Sequence, residues 1–459
     1  MTYSIIKKSQ LEGALRLDAE YYQPEYLYAQ KLIEKNEHYR FDKIINLLTD
    51  YHANGSYEIL HRNVEIKDIP DYSLMIRAVD LEHTNFDDDV RYVSESAYKF
   101  LKKSKIYGNE IIIDKIGNAG AVYLMPKLNR LVTLGMNLFL VRLKDKFNPE
   151  FIYVFLNSKY GKLLIERKTT GINPKSLDKI SVRNLLIPKI SQSFSDLISQ
   201  SVQKSFTYLA DSKIFYQEAE SLLLKKLGLD DFKSEHKLFS IVNLSNCEKA
   251  NRIDAEYFQP KFEELISKIR KQNHSKLGDL VSMQKGFEPG SEAYQENGKA
   301  FIRVSNLSKD GIDSSDQKYI IEDLYQSLKS NYQPQVGEIL LTKDATPGNA
   351  YVVKESIDGI ISSGILRLKL KDKIESEYLA LCLNSLVGKM QAKRDAGGSI
   401  ISHWKPEQIR NILIPVLSKP IQQKIAELVQ KSHSARQKSK ELLESAKKKV
   451  EEIIEKGAK

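Results

Sequence analysis

After Pro188, and again after Pro415, the chain enters a polar stretch in which apolar positions recur at helical spacing. In the first stretch Val202, Leu209, Tyr216 and Leu223 fall every seven residues, and Gly228 is a natural stop. In the second, Ile425, Leu428, Ser432, Ala435, Ser439, Leu442 and Ala446 alternate steps of three and four. Two long helices are predicted, and the small seam residues permit close helix approach. Near-uniform polarity off the seam suggests a helix that leaves its domain to find a partner. The alternative is a single amphipathic helix lying on its own domain. Ahead of each helix the pattern shortens to strands and turns. Residues 109–116, 131–143 and 337–343 are β-rich, with turns at 117–120 and 347–349, and helical patches follow at 151–167 and 376–394.

The two halves repeat one another. Arg16-Leu-Asp18-Ala-Glu20-Tyr-Tyr-Gln-Pro24 returns as Arg252-Ile-Asp254-Ala-Glu256-Tyr-Phe-Gln-Pro260, 236 residues on. Ile76-Arg77 returns as Ile302-Arg303, and the run from Gly108 to Lys115 is echoed from Gly337 to Lys343, at offsets of 226 to 228. Leu156-Asn-Ser158 with Gly161-Lys162, and Arg183-Asn184-Leu-Leu-Ile-Pro188, return at an offset of 227 as Leu383-Asn-Ser385 with Gly388-Lys389 and Arg410-Asn411-Ile-Leu-Ile-Pro415. Stretches between these islands, such as 51–72 against 290–300, have diverged, so two copies of one fold present two different surfaces. Each copy reads as a mixed α+β domain of about 190 residues plus one helix. The boundaries predicted are 1–190 and 240–418 for the domains, with helices at 191–229 and 419–459.

Composition narrows the classes. At 41% hydrophobic and 28% charged, the chain matches packed globular proteins rather than disordered ones. No apolar run approaches the length of a membrane span, and the opening MTYSIIKKSQ lacks the apolar core of a signal peptide, which predicts a cytoplasmic protein without membrane contact. Cys247 and Cys382 stand apart from any CxxC pair, so no disulfide framework or zinc site is predicted. The net charge of +10 suits a polyanionic partner, but the segment 419–459 alone supplies +5 of it. Global charge therefore argues weakly for DNA contact elsewhere.

The paired openings at 17–24 and 253–260, the hairpins at 115–123 and 343–351, and the domain ends at 170–188 and 397–415 carry a resemblance that covers nearly the whole chain. In their order and duplication they resemble the specificity subunit of type I restriction-modification systems. The resemblance implies an α+β protein of two tandem target recognition domains, each followed by a long helix, the two helices pairing as an antiparallel coiled coil. It implies that each domain reads half of a split site in double-stranded DNA. It also implies that the helix pair docks two methyltransferase (modification) subunits, with restriction/translocase subunits completing a phage-defence enzyme. At 188–192 the chain departs from the usual helix start, lacking the second proline and the Glu-Gln. No methyltransferase tetrapeptide, Gly-rich cofactor strand, P-loop or zinc signature occurs, so no catalytic residue, cofactor or metal is predicted. The rival reading is a sequence-specific DNA-binding regulator or scaffold without a methyltransferase partner.

Base reading needs Arg, Lys, Asn, Gln or hydroxyl side chains on loops, whereas phosphate positioning needs basic groups and turn amides. Lys115 and Lys343, each leading into a glycine turn, are the first phosphate candidates, with Arg77 and Arg303 next. Thr169, Thr170 and Gly171, and in the second copy Gly397, Gly398 and Ser399, offer amides and hydroxyls. His403 and Trp404, unmatched in the first copy, are candidates to insert or stack. The diverged segments 51–54 and 285–287 are candidate base readers. The carboxylates Asp18, Glu20, Asp254 and Glu256 read most simply as helix caps or partners of Arg16 and Arg252.

Overall fold

The computed structural model describes residues 4–9, 11, 16–233, 238–314, 316–371, 374–396 and 403–457. The chain divides into two compact units, one of residues 1–208 with 438–459, the other of residues 209–437. Both division points fall inside long helices, so each unit holds one mixed domain and a stretch of each helix.

In the first unit a four-stranded antiparallel sheet runs in the order Ile45–Asp50, Leu138–Leu143, Ile111–Asp114, Val122–Leu124. A second sheet orders Arg91–Val93, Ser73–Ile76, Val132–Leu134 and Lys105–Ile106, and its Ser73–Ile76 and Val132–Leu134 strands are parallel. The expected strand over 131–143 is thus two strands in two sheets. Gly135 and Asn137 break it: a side chain at Gly135 would meet the Ile76 carbonyl at 2.5 Å, and Asn137 adopts φ +62°.

The second unit repeats the first sheet as Val281–Lys285, Ile365–Leu370, Ile339–Thr342, Ala350–Val352. Its second sheet has three strands, Lys318–Ile320, Lys299–Ile302 and Gly359–Ile361, the last two parallel. In both units a short strand pairs with the residues that lead into a long helix, His38–Arg40 with Leu186–Pro188 and His274–Lys276 with Leu413–Pro415.

The helical patches expected at 151–167 and 376–394 are each a pair of helices broken at a serine. Pro149–Asn157 gives way to Lys159–Glu166 at Ser158, and Ser376–Asn384 gives way to Leu386–Asp395 at Ser385. Each serine is extended, and its hydroxyl caps the next helix, accepting from the Gly161 or the Val387 amide. The corner is tight. A Cβ on Gly161 would lie 2.0 Å from the Phe155 carbonyl, and one on Gly388 2.2 Å from that of Leu383. Asn157 donates to the Val122 carbonyl at 3.0 Å, and Asn384 donates to the Ala350 carbonyl at 2.7 Å, tying the corner to the hairpin strand. The matched Leu-Asn-Ser and Gly-Lys residues are therefore the parts of this joint.

The long helices are Gln192–Leu227 and Lys419–Lys456. In the first unit Ile198 and Val202 join Ala446, Val450 and Ile454 in one core with Phe41, Ile113, Phe139 and Phe155. In the second, Tyr216, Ala219 and Leu223 join Ile425 and Val429 over Leu341, Leu366 and Tyr378. The helices pack together as an antiparallel pair and also on the sheets, so both alternatives hold at once. Within the first unit the Ser205 and Ser439 hydroxyls lie 2.8 Å apart, and within the second those of Ser212 and Ser432 lie 3.1 Å apart. Of the predicted seam, Leu209, Leu428 and Leu442 are only partly buried, while Val429 and Val450 are fully so. Among the described residues no helix is long and apolar enough to cross a membrane.

Candidate nucleic-acid interface

Lys115 follows the buried strand Ile111–Asp114 and precedes a turn whose Gly117 and Gly120 both adopt φ +94°. Its main chain is fixed on both sides: its amide donates to Asn137, and its carbonyl accepts from the Leu177 amide at 2.9 Å. The side chain reaches Asp50 at 3.4 Å, and Lys179 reaches the other oxygen of the same carboxylate at 2.9 Å. Burial works to raise the Asp50 pKa, but the Lys179 hydrogen bond and the two ammonium charges outweigh it, and the carboxyl is held below its usual range. The group stays ionised, so Lys115, Lys179 and Asp50 together carry one positive charge beside the glycine turn.

The turn at 169–171 comes to the same place. Thr170 and Ser176 exchange backbone hydrogen bonds at 2.8 and 2.9 Å, and Ser176 pairs with Ile116 in a two-residue ladder. Thr169 Oγ1 donates to the Glu166 carbonyl, and the exposed Thr170 hydroxyl lies 3.2 Å from that of Ser176. Gly171, at φ +85°, would press a side chain to 2.8 Å from the Pro174 carbonyl. Lys115, Lys179, the glycine turn and Thr170-Gly171 thus form one basic, hydroxyl-bearing corner.

The second copy builds the corner differently. The Lys343 ammonium turns onto its neighbour Asp344, and His403 Nδ1 lies 2.8 Å from the other oxygen of that carboxylate. Burial raises the Asp344 pKa, yet the Lys343 and His403 hydrogen bonds prevail and hold it low. The ladder registers place Lys285 where the first copy has Asp50, each one opposite the equivalent residue of its neighbour, Leu366 or Phe139. The carboxylate has moved from the edge strand Ile45–Asp50, two strands away, to the residue after the lysine. His403 is well exposed at 61%, whereas the Lys343 side chain is only 11% exposed. Gly397, Gly398 and Ser399 lie outside the described residues.

Three expectations change. Trp404 is 1% exposed, and its amide donates to the Lys343 carbonyl at 2.8 Å, as the Leu177 amide does to Lys115. It is the core residue matching Leu177 and cannot stack on a base while the domain is folded. Arg77 and Arg303 serve the fold: Arg77 pairs with the buried Asp80 at 2.7 Å, and Arg303 with Asp316 at 2.7 Å. Each caps a short helix and clamps the loop beyond it. At 51–54, Tyr51 is buried, and Asn54 binds the Ser104 hydroxyl and the Lys103 amide, which leaves His52 as the exposed residue there. At 285–287, Lys285 is exposed, and a side chain at Gly286 would meet the Ser362 carbonyl at 2.2 Å.

Lys179, Asp50 and Asp344 had not been singled out from the sequence. Neither aspartate has a carboxylate at the matching position of the other copy, so the repeat gave no signal for them. Among the described residues no His, Cys, Asp or Glu cluster could hold a metal ion.

Comparisons with known proteins bear on the second half first. Residues 270–445 match a family model described as the type I restriction modification DNA specificity domain. No curated protein matches the chain at a significant level. Among solved structures it is similar to the S subunit of the type I restriction-modification system from M. genitalium, at 16% identity and TM-score 0.43, covering 92% of this chain and 95% of that one. The HsdS subunit from Thermoanaerobacter tengcongensis aligns at 13% identity and TM-score 0.27, covering 91% and 96%. The type IIG restriction endonuclease BpuSI aligns at 12% identity and TM-score 0.31, covering 49% and 38%. At these scores the superpositions carry no weight of their own.

Proposed function

Because residues 270–445 carry a type I restriction modification DNA specificity domain, we propose that the whole chain is the sequence-recognition subunit of a type I restriction-modification enzyme. Residues 1–190 read one half of a split DNA target and residues 240–418 read the other, and the chain recruits methyltransferase and restriction subunits without chemistry of its own. The observation that carries this is the duplicated corner. Each copy sets two basic side chains on one carboxylate beside a glycine turn, while the surrounding loops differ. A shared phosphate anchor with different base-reading loops is what two half-sites on one duplex require.

The corners hold the phosphate contacts through Lys115, Lys179 and the Thr170-Gly171 turn in the first copy, and through Lys343 and His403 in the second. The remaining candidates at 397–399 match residues 170–172 in sequence. A cytoplasmic location follows from this function. Domain exchange tests the reading: replacing residues 1–188 by those of another specificity subunit changes one half of the methylated site and leaves the other. A change in both halves, or in neither, refutes it. A regulator without a partner would leave methylation untouched in every case.

A further inference from the structure

Residues 307–312 form a hairpin that leaves the second recognition domain and ends on the long helices. Leu307–Ser308 pairs with Gly311–Ile312, so Lys309 and Asp310 are its two turn residues. Ser308 steadies the turn: its hydroxyl accepts from the Asp310 amide and donates to the Gly311 carbonyl, each at 3.2 Å. Below it Leu307 is buried with Ile302, Leu340 and Val353, and Ile312 packs on them with Tyr351. The two turn residues then take one helix each. The Lys309 ammonium lies 4.6 Å from the centre of the Tyr216 ring, on the helix Gln192–Leu227. Asp310 pairs at 2.9 Å with Arg436, on the helix Lys419–Lys456. Tyr216 and Arg436 each stand one turn beyond the serines whose hydroxyls meet, Ser212 and Ser432.

The first copy is built differently at the matched place. Leu81 matches Leu307, but residues 81–86 run from the end of the helix Ala78–Glu82 into bends. The helix positions matching Tyr216 and Arg436 at the offset of 227 are Leu443 and Leu209. The grip therefore belongs to one domain, and its parts occur together: a hairpin, two charged turn residues, and an aromatic and a basic residue on the helices. Packing alone does not need it, because the domain already rests on the helices through the core over Leu341, Leu366 and Tyr378. Apolar contact is non-directional and tolerates small slides. An ion pair and a ring–ammonium contact hold one setting. Arg436, whose Nε is buried without a partner, would be left as an uncompensated, partly buried charge if Asp310 moved away.

We propose that the Lys309-Asp310 turn is a positioning element: it fixes the angle at which the second recognition domain sits on the helices, and so holds the target to a single spacer length between half-sites. The spacer rests on the function proposed above; the grip itself rests on the hairpin. One base pair is about 3.4 Å along the duplex. A tilt of about 10° supplies that displacement roughly 20 Å from the helices, about the radius of a domain this size. A domain free to rock on its apolar seat therefore accepts a half-site one base pair nearer or further, with the accompanying twist taken up by the DNA.

The test expresses the full chain with the methyltransferase encoded alongside it and reads the spacer of every methylated site by sequencing. Lys309→Gln combined with Asp310→Asn keeps the size of the turn and removes both charges. Discrimination against a spacer one base pair longer or shorter is expected to fall about five- to tenfold, the worth of one ion pair and one ring–ammonium contact together, with both half-site sequences unchanged. Asp310→Glu, which keeps the charge, retains the wild-type spacer. A fall in total methylation at an unchanged spacer shows a merely structural turn and overturns the proposal while leaving the functional reading intact. An unaltered methylome does the same, as does equal relaxation in Asp310→Glu. A wild-type chain that directs no methylation to a split site overturns the functional reading and this proposal with it.

Discussion

Lys179 stops 2.9 Å from Asp50, on the carboxylate oxygen opposite the one Lys115 approaches. The ion pairs take up one positive charge and leave one beside the turn amides. A phosphate contact of this kind is blind to sequence and releases counterions. Lys115→Ala or Lys179→Ala therefore weakens binding to specific and unrelated duplexes by similar factors. Each also flattens the dependence of log affinity on log salt by about 0.9. Binding titrations across salt concentrations measure both; a loss confined to one base position shows base reading instead.

How much of this was legible follows from what duplication preserves. Residues whose partners are backbone, such as Asn157 and Asn384 on the hairpin strand or Ser158 and Ser385 at the helix corner, are the same in both copies and announced the fold. Lys115, Lys343, the Thr170-Gly171 turn and His403 were legible as candidates, but the aspartates on which the basic groups converge, and Lys179, escaped because each copy takes its carboxylate from a different position. Trp404 misled for a related reason. It fills the space of Leu177 with a larger side chain, and a lone tryptophan among diverged polar residues reads as a ligand contact until its burial is seen.

The second corner separates packing from contact within two adjacent residues. Trp404→Ala removes a fully buried side chain and costs about 3–5 kcal/mol of stability to that unit, lowering DNA binding only as far as the unit unfolds. His403→Ala leaves the melt within roughly 0.5 kcal/mol of wild type and weakens DNA binding of the folded protein. Denaturant titration alongside DNA titration distinguishes them. Equal loss of stability in both variants removes His403 from the interface.

Asp114 closes the strand ahead of Lys115, and burial pushes its carboxyl up to about 6; the second copy has Thr342 at the matching position. A carboxyl raised above its unfolded value binds its proton more tightly in the folded state. Its contribution is complete below about pH 4, fades as pH rises through about 6, and is a penalty above that. Asp114→Asn, which can still accept from the Ile116 amide, melts with wild type at pH 4 and above it at pH 8. Thermal melts across that range decide the point: an advantage largest at pH 4 reverses the sign and places the ionised form in the folded state.

Ser205 donates to the Ser439 carbonyl at 2.9 Å with the two hydroxyls 2.8 Å apart, and Ser432 donates to the Ser212 carbonyl at 2.7 Å. All four side chains are buried. A buried hydroxyl deprived of its partner costs the desolvation of that group, about 1–3 kcal/mol, whereas removing both partners leaves a small apolar contact that is nearly neutral. Ser205→Ala, which takes the partner from the Ser439 hydroxyl, is therefore more destabilising than Ser439→Ala, after which Ser205 still donates to the main-chain carbonyl, and the double variant costs less than their sum. The same holds for Ser432 and Ser212, in that order. Replacing one of these serines by leucine is worse than either alanine, because the helices approach closely where the side chains are small and extra methylenes force them apart. A double-mutant cycle by denaturant unfolding measures the coupling, expected at about 0.5–2 kcal/mol. Strict additivity of the alanine pair shows that the hydroxyls do not depend on one another, and tolerance of leucine shows that the helices have room to spare.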